Sequence, residues 1–214
     1  MTKVLITGFE PFDGAELNPA WEAVCLVAAE QPVGLEVVTA RLSCVFGTAL
    51  EELRAAVRET EPELVVCVGQ AGGRPDITLE RVAINVDDAR IADNAGHCPV
   101  DEPVVAGGPA AYFSTLPIKA CAAAVHGAGL PASISQTAGT YVCNHVFYGL
   151  MHLIATEYPA LRGGFVHVPF APEQVVDRVA PSLPVEVTAA ALRIILGTAA
   201  RTRVDLPLAA GATH

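Results

Sequence analysis

Apolar positions along this chain follow two alternating rhythms: short runs rich in Val, Ile and Leu, and longer Ala- and Leu-rich segments with helical spacing. "KVLITGF" (3–9), "LEVVTARLS" (35–43) and "ELVVCVGQ" (63–70) read as strands, the last nearly continuous in apolar character, as strands covered on both faces are. Helices are predicted over 18–30, with Asn18 as N-cap and Pro19 at the first position, and over 47–62, ended by Pro62. "ITLERVAIN" (77–85) alternates, which predicts an antiparallel or edge hairpin, and a loop of Asp, Asn, Gly and Pro follows over 87–109. A helix (114–129), a strand (131–136), a helix (142–159) and a strand (163–170) come next, then helical stretches over 173–180 and 185–203. The closing "DLPLAAGATH" has no periodicity, so residues 207–214 are expected to form a disordered tail and residues 1–206 a single domain.

Strand and helix alternate without a repeat or a linker. That predicts an α/β fold, a single three-layer α/β/α domain with a twisted, mostly parallel sheet of the phosphorylase/hydrolase-like kind. Such sheets bind ligands at the carboxyl ends of their strands. "TGFEPFDG", "GQAGGRPD", "HVPFAP" and the turn "SQTAGTY" are therefore expected to converge on one face.

Composition narrows the function. Of 214 residues, 52% are hydrophobic and 17% charged, which excludes a disordered chain. The net charge of −10, without a basic stripe, excludes nucleic acid and anionic membrane as partners. No apolar run is long enough to span a membrane and no secretory leader is visible, so the expected location is cytoplasmic. The six cysteines lack CxxC pairing and read as reduced thiols. No HExxH or CxxC motif is present, so no metal is expected. The low charge hints at a buried interface between subunits.

Three side chains can carry chemistry. Cys143 stands where a Gly-Thr turn runs into an apolar helix, a place that favours a thiolate, although small thiols are also common core residues. His167 sits inside the otherwise apolar strand "GGFVHVPF", where an imidazole is costly unless hydrogen-bonded or in use. His145 competes as a base, but two positions after Cys143 on a helix it points to another side. Glu80 adjoins Arg81 in the alternating strand; it is either half of a surface ion pair or the acid that orients His167. Phe9 and Phe12 in "TGFEPFDG" suit a flat, uncharged ring, or ordinary packing beneath a loop. "GQAGGR" lacks both the GxGxxG spacing and a P-loop Lys-Ser/Thr, which leaves a phosphate-using enzyme or a non-catalytic ring-binding protein as the other readings.

Taken together, "TGFEPFDG…NP", "GQAGGR…ITLERVAIN", "AGTYVCNHVFYGL" and "HVPF" resemble the pyroglutamyl peptidase I (pyrrolidone-carboxylate peptidase) family, in order and from about Val4 to the last helix. The resemblance implies a cofactor-free cysteine peptidase on an α/β/α sandwich, usually a homotetramer, that removes N-terminal pyroglutamate from peptides through a thioester. It implies Cys143 as nucleophile, His167 as base and Glu80 as acid. It further implies a ring pocket of Phe9, Phe12, Ile91, Tyr141 and Val142, with Asn18 and Gln70 at the lactam's polar edge and Arg90 near the oxyanion. Cys44 beside that pocket and Cys98 in a loop stand out as unusual.

Overall fold

The computed structural model describes residues 1–211. A six-stranded sheet forms its middle layer, built from β1 (Thr2–Phe9), β2 (Leu35–Leu42), β3 (Leu64–Gln70), β4 (Ile77–Glu80), β7 (Ala132–Ser135) and β8 (Arg162–Val168), in the order β2-β1-β3-β8-β4-β7. All neighbours run parallel except β4 and β8, where Thr78 stands opposite His167. A separate two-stranded ribbon pairs β5 (Val82–Ile84) with β6 (Ala111–Phe113).

Among the described residues, five α-helices cover both faces. α1 (Pro19–Ala29), α3 (Ile118–Gly127) and α5 (Val185–Arg201) pack on one side with Val4, Ile6, Val66, Val68 and Val166. α2 (Thr48–Thr60) and α4 (Val142–Thr156) pack on the other with Leu5, Val65, Cys67 and Phe165. The alternation of side chains along each strand dictates which residues reach which layer. Val166 and Val168 face α1, so Phe165 and His167 face α4. Ile77 and Leu79 face the α1 side, so Thr78 and Glu80 stand on the same face as His167.

The predicted elements recur, with differences that include an unpredicted strand, β6. The 77–85 segment is not one hairpin: Glu80 ends β4 in the main sheet, and Val82 begins β5 in the ribbon, with only Arg81 between them. β4 is not an edge either, because β7 pairs along its outer side. The helix expected over 173–180 is a four-residue 3-10 turn, Pro172–Val175. Its Val176 and Val179 are 85% and 108% exposed, so an apolar stripe there finds nothing to pack against. Residues 207–211 contain no helix or strand, yet Arg81 Nη2 donates to the Ala210 carbonyl at 3.2 Å. Residues 212–214, the rest of the expected tail, lie outside the described residues.

Candidate active site

Cys143 is the second residue of α4, whose start follows Gly139, a glycine at φ +78. The first bond within this helix is His145 N–H to the Tyr141 carbonyl, 3.1 Å, which leaves the N–H groups of Val142, Cys143 and Asn144 without intrahelical acceptors. Those groups and the helix dipole bring partial positive charge to the thiol. The following residue fixes the helix in place. Asn144 is fully buried, accepts from Ile84 N–H at 3.0 Å, and donates to the carbonyls of Ile84 and Val86 at 2.9 and 3.0 Å.

His167 approaches from β8, with its ring centroid 4.8 Å from that of Phe165. Its Nδ1 is 2.7 Å from Glu80 Oε1, which requires a proton on Nδ1 and leaves Nε2 as the basic nitrogen. Glu80 is fully buried. The same Oε1 accepts from Arg74 Nη1 at 2.6 Å, and that guanidinium also bonds Thr78 Oγ1 (2.6 Å) and the Thr137 carbonyl (2.9 Å). Arg81, the alternative partner weighed from sequence, turns instead to Gln136 Oε1 at 2.9 Å. Arg74 is thus a site residue that the sequence reading passed over. It was visible only as the last letter of "GQAGGR".

Electrostatics set the resting state. Burial pushes the Cys143 thiol well above its ordinary value of 9.0, with Cys44 and Glu80 adding to the rise and Arg74 opposing it. Burial likewise lowers His167 below 6.5, against the pull of its bond to Glu80. Burial also acts to raise Glu80, but its hydrogen bond from His167 and the charge of Arg74 prevail, and the carboxyl is held below 4.5. The resting pair is therefore a neutral thiol beside a neutral imidazole, with the nearby carboxylate ionised.

A cavity of about 640 Å³ opens over this group. Phe9, Phe12, Asn18, Gln70, Arg90, Ile91, Tyr141, Cys143 and His167 all line it. Phe12 and Tyr141 face each other with ring centroids 6.1 Å apart, and Phe46 meets Tyr141 edge-on at 5.5 Å. Ile91 is 38% exposed, an apolar side chain held at the mouth. Glu80 lies behind His167 rather than in the cavity, and Val142 is fully buried in the core below it. Asn18 is committed elsewhere: Oδ1 caps α1 at Ala20 N–H (3.1 Å) and Nδ2 donates to the Glu10 carbonyl (3.1 Å). Gln70 Oε1 accepts from Gln174 Nε2 at 3.0 Å.

The other polar side chains near the cavity are structural. His145 Nδ1 is 2.8 Å from Asp87 Oδ2, and its Nε2 accepts from Gly47 N–H at 3.0 Å, so neither nitrogen is free to act as a base. Asp93 holds Phe46 N–H at 2.9 Å and His97 N–H at 2.8 Å, and Tyr141 Oη donates to the Ala92 carbonyl at 3.1 Å; together they fasten the 87–102 loop over the cavity. Cys44 lines the cavity but is buried, which pushes its thiol up to about 12. Cys98 is exposed in its loop, with Sγ donating to the Ala89 carbonyl at 3.1 Å. Among the described residues, no three His, Cys, Asp or Glu side chains cluster as metal ligands would. The arrangement fits acyl transfer: a nucleophile at a helix N-terminus, a base and the acid orienting it, and an aromatic pocket alongside.

The model of the pyroglutamyl peptidase family matches residues 2–202. A pyrrolidone-carboxylate peptidase of Streptomyces coelicolor is 64% identical over 216 residues, covering 100% of both chains. The crystal structure of pyroglutamyl peptidase I from Bacillus amyloliquefaciens superposes with a TM-score of 0.94 at 47% identity, covering 96% of this chain and 100% of that one. Pyrrolidone carboxyl peptidase from Thermococcus litoralis gives 0.91 at 36% identity, covering 97% and 100%.

Proposed function

The chain belongs to the pyroglutamyl peptidase family, cysteine peptidases that remove N-terminal pyroglutamate, and we propose that it does so through Cys143, His167 and Glu80. The observation that carries this assignment is the 2.7 Å bond from Glu80 Oε1 to His167 Nδ1, with His167 and Cys143 lining one cavity.

An N-terminal pyroglutamate has a neutral lactam in place of the ammonium that ordinary aminopeptidases grip. Phe9, Phe12 and Tyr141 offer the ring apolar walls, with Ile91 at the mouth. The side-chain amide of Gln70 keeps its N–H donors for the lactam carbonyl, since only its oxygen is engaged. Asn18, its amide already spent on the cap of α1, shapes the pocket rather than reading the ring.

Because the resting pair is neutral, His167 Nε2 removes the thiol proton as Sγ attacks the pyroglutamyl carbonyl. Sγ–C forms, and the carbonyl π pair moves to oxygen. Amide hydrogens at the start of α4 receive that oxyanion, with Arg90 nearby; one such donor is worth about 3–4 kcal/mol in other acyl-transfer enzymes. The imidazolium then gives its proton to the departing nitrogen as C–N breaks, leaving a thioester. Water, deprotonated by His167, attacks the thioester, and pyroglutamate leaves as the thiol is restored. Glu80 stays ionised throughout and stabilises the imidazolium.

Hydrolysis of a pyroglutamyl arylamide by the wild type and by Cys143→Ala tests this. Loss of turnover in a folded variant is expected. More than trace activity in Cys143→Ala would remove the thiol from the mechanism.

Residues 1–206 are read as one domain, which the packing of α5 against both α1 and α3 supports. A cytoplasmic location and a homotetramer complete the proposal. The six cysteines are all free thiols, and no described helix is long and apolar enough to cross a membrane. Phe113, Val176 and Val179 are 70%, 85% and 108% exposed, apolar surface of the kind that subunit contacts cover. Light scattering across a dilution series measures the assembly.

A further inference from the structure

A second cavity, of about 550 Å³, adjoins the catalytic one. Phe12, Asp13, Gln70 and Gly72 wall both, so the two share a divider rather than standing apart. Gly72 keeps that divider thin: a Cβ there would run into the Phe170 ring. Phe170 lines the second cavity against that divider, three residues beyond His167 along the chain leaving β8.

We propose that this second cavity holds the leaving peptide and favours a basic side chain on it. The inference rests on the pyroglutamyl peptidase reading. With the ring between Phe12 and Tyr141 and the carbonyl at Cys143, the departing nitrogen takes its proton from His167. The rest of the substrate then continues past His167, and the chain carrying that histidine leads to the wall of the second cavity. An exopeptidase with one subsite on the ring side needs its remaining grip on this side.

Charge gives the preference its sign. Asp13, Glu16 and Glu173 line the cavity against one cation, Arg178, an excess of two negative charges. Arg178 is already placed over the Phe170 ring at 4.6 Å, so that ring face accepts a cation. All four charged groups are exposed, so screening keeps the preference modest.

The test is kcat/KM for pyroglutamyl-Lys, pyroglutamyl-Ala and pyroglutamyl-Glu amides, in the wild type and in Glu16→Gln/Glu173→Gln. The wild type is expected to prefer Lys over Glu by about fivefold, as exposed ion pairs would give, and the preference should shrink in 0.5 M salt. In the double variant the Lys/Glu ratio should fall towards one. The ratio is taken within each protein, so altered folding or chemistry cancels. Equal rates in the wild type, or an unchanged ratio in the double variant, would overturn the subsite. A pyroglutamyl arylamide assayed alongside separates the two readings. Its hydrolysis with a flat peptide profile sinks the subsite alone, and its resistance sinks both.

Discussion

Gly69 lies beneath Cys143 so closely that a β-carbon there would stand 2.7 Å from its Sγ and 2.9 Å from the Phe165 ring. Gly69 also pairs in register with His167 across β3 and β8. The bare backbone at this point leaves room for the thiol beside the imidazole. Gly69→Ala should therefore displace Sγ, lowering kcat on a pyroglutamyl arylamide by on the order of 10²-fold for an ångström-scale misplacement. Overpacking should also cost about 1–3 kcal/mol in stability, measurable by urea unfolding. Unchanged kcat would mean that the thiol has slack that the geometry denies.

Glu80 and His167, the proposed acid and base, should differ in what their loss costs. Glu80→Gln keeps an oxygen for His167 Nδ1–H, so the tautomer survives and only the charge is lost. His167→Ala removes the proton acceptor altogether. Expected losses in kcat/KM are about 10²-fold and about 10⁴-fold respectively, the span seen for general-base groups. Equal losses would assign Glu80 more than an orienting role.

The pH profile follows from the shifts. His167 must be neutral to accept the thiol proton, and burial lowers it below 6.5, so the acid limb of kcat/KM should have its midpoint below 6.5. Iodoacetamide alkylation of Cys143 should continue to accelerate above pH 9, since burial raises the thiol. The same histidine affects stability. Unfolded chains bind its proton at a higher pH than the native fold does, so stability should decline as pH falls through 6.5 towards the folded value. Glu80, held below 4.5, should add a second loss of the same sign in more acidic solution. An acid limb above 6.5 would overturn the lowering of His167, whereas activity that falls on the alkaline side as an imidazolium loses its proton would point to a preformed thiolate–imidazolium pair.

Arg74 is 26% exposed and, of the three proposed catalytic side chains, touches only Glu80, yet its charge opposes protonation of His167. Arg74→Met should move the acid limb to higher pH and lower kcat by about tenfold, as the loss of a charged hydrogen bond would. A merely structural role would lower stability and leave the limb where it was.

Much of this site was legible as letters. Asn18 with Pro19 announces the start of α1, and a lone histidine in "GGFVHVPF" announces that something must satisfy it. The pairing of β4 was not legible. Its partners, β7 and β8, lie 52 or more residues away in the chain, and only their assembly shows that Glu80 faces inward. Arg74 was hidden for the same reason, because its partners are defined by the β4 strand that it folds back upon. β6, just past the loop predicted over 87–109, is three residues long and pairs only with β5, too short to leave a rhythm. The helix expected over 173–180 had the spacing but no surface to cover its valines.

The single residue between β4 and β5 has a further consequence for how the chain can vary. On one side of Arg81 the side chains are committed to the main sheet, and on the other to the ribbon that Asn144 holds against α4. Inserting or deleting one residue in β4 would turn Glu80 to the opposite face. The turn at 71–76 lies outside strands, yet within it Arg74 bonds Glu80 and Thr78, and Gly72 packs on Phe170. Natural and engineered changes in length should therefore stay out of the whole stretch from Ala71 to Ile84, which keeps a fixed count.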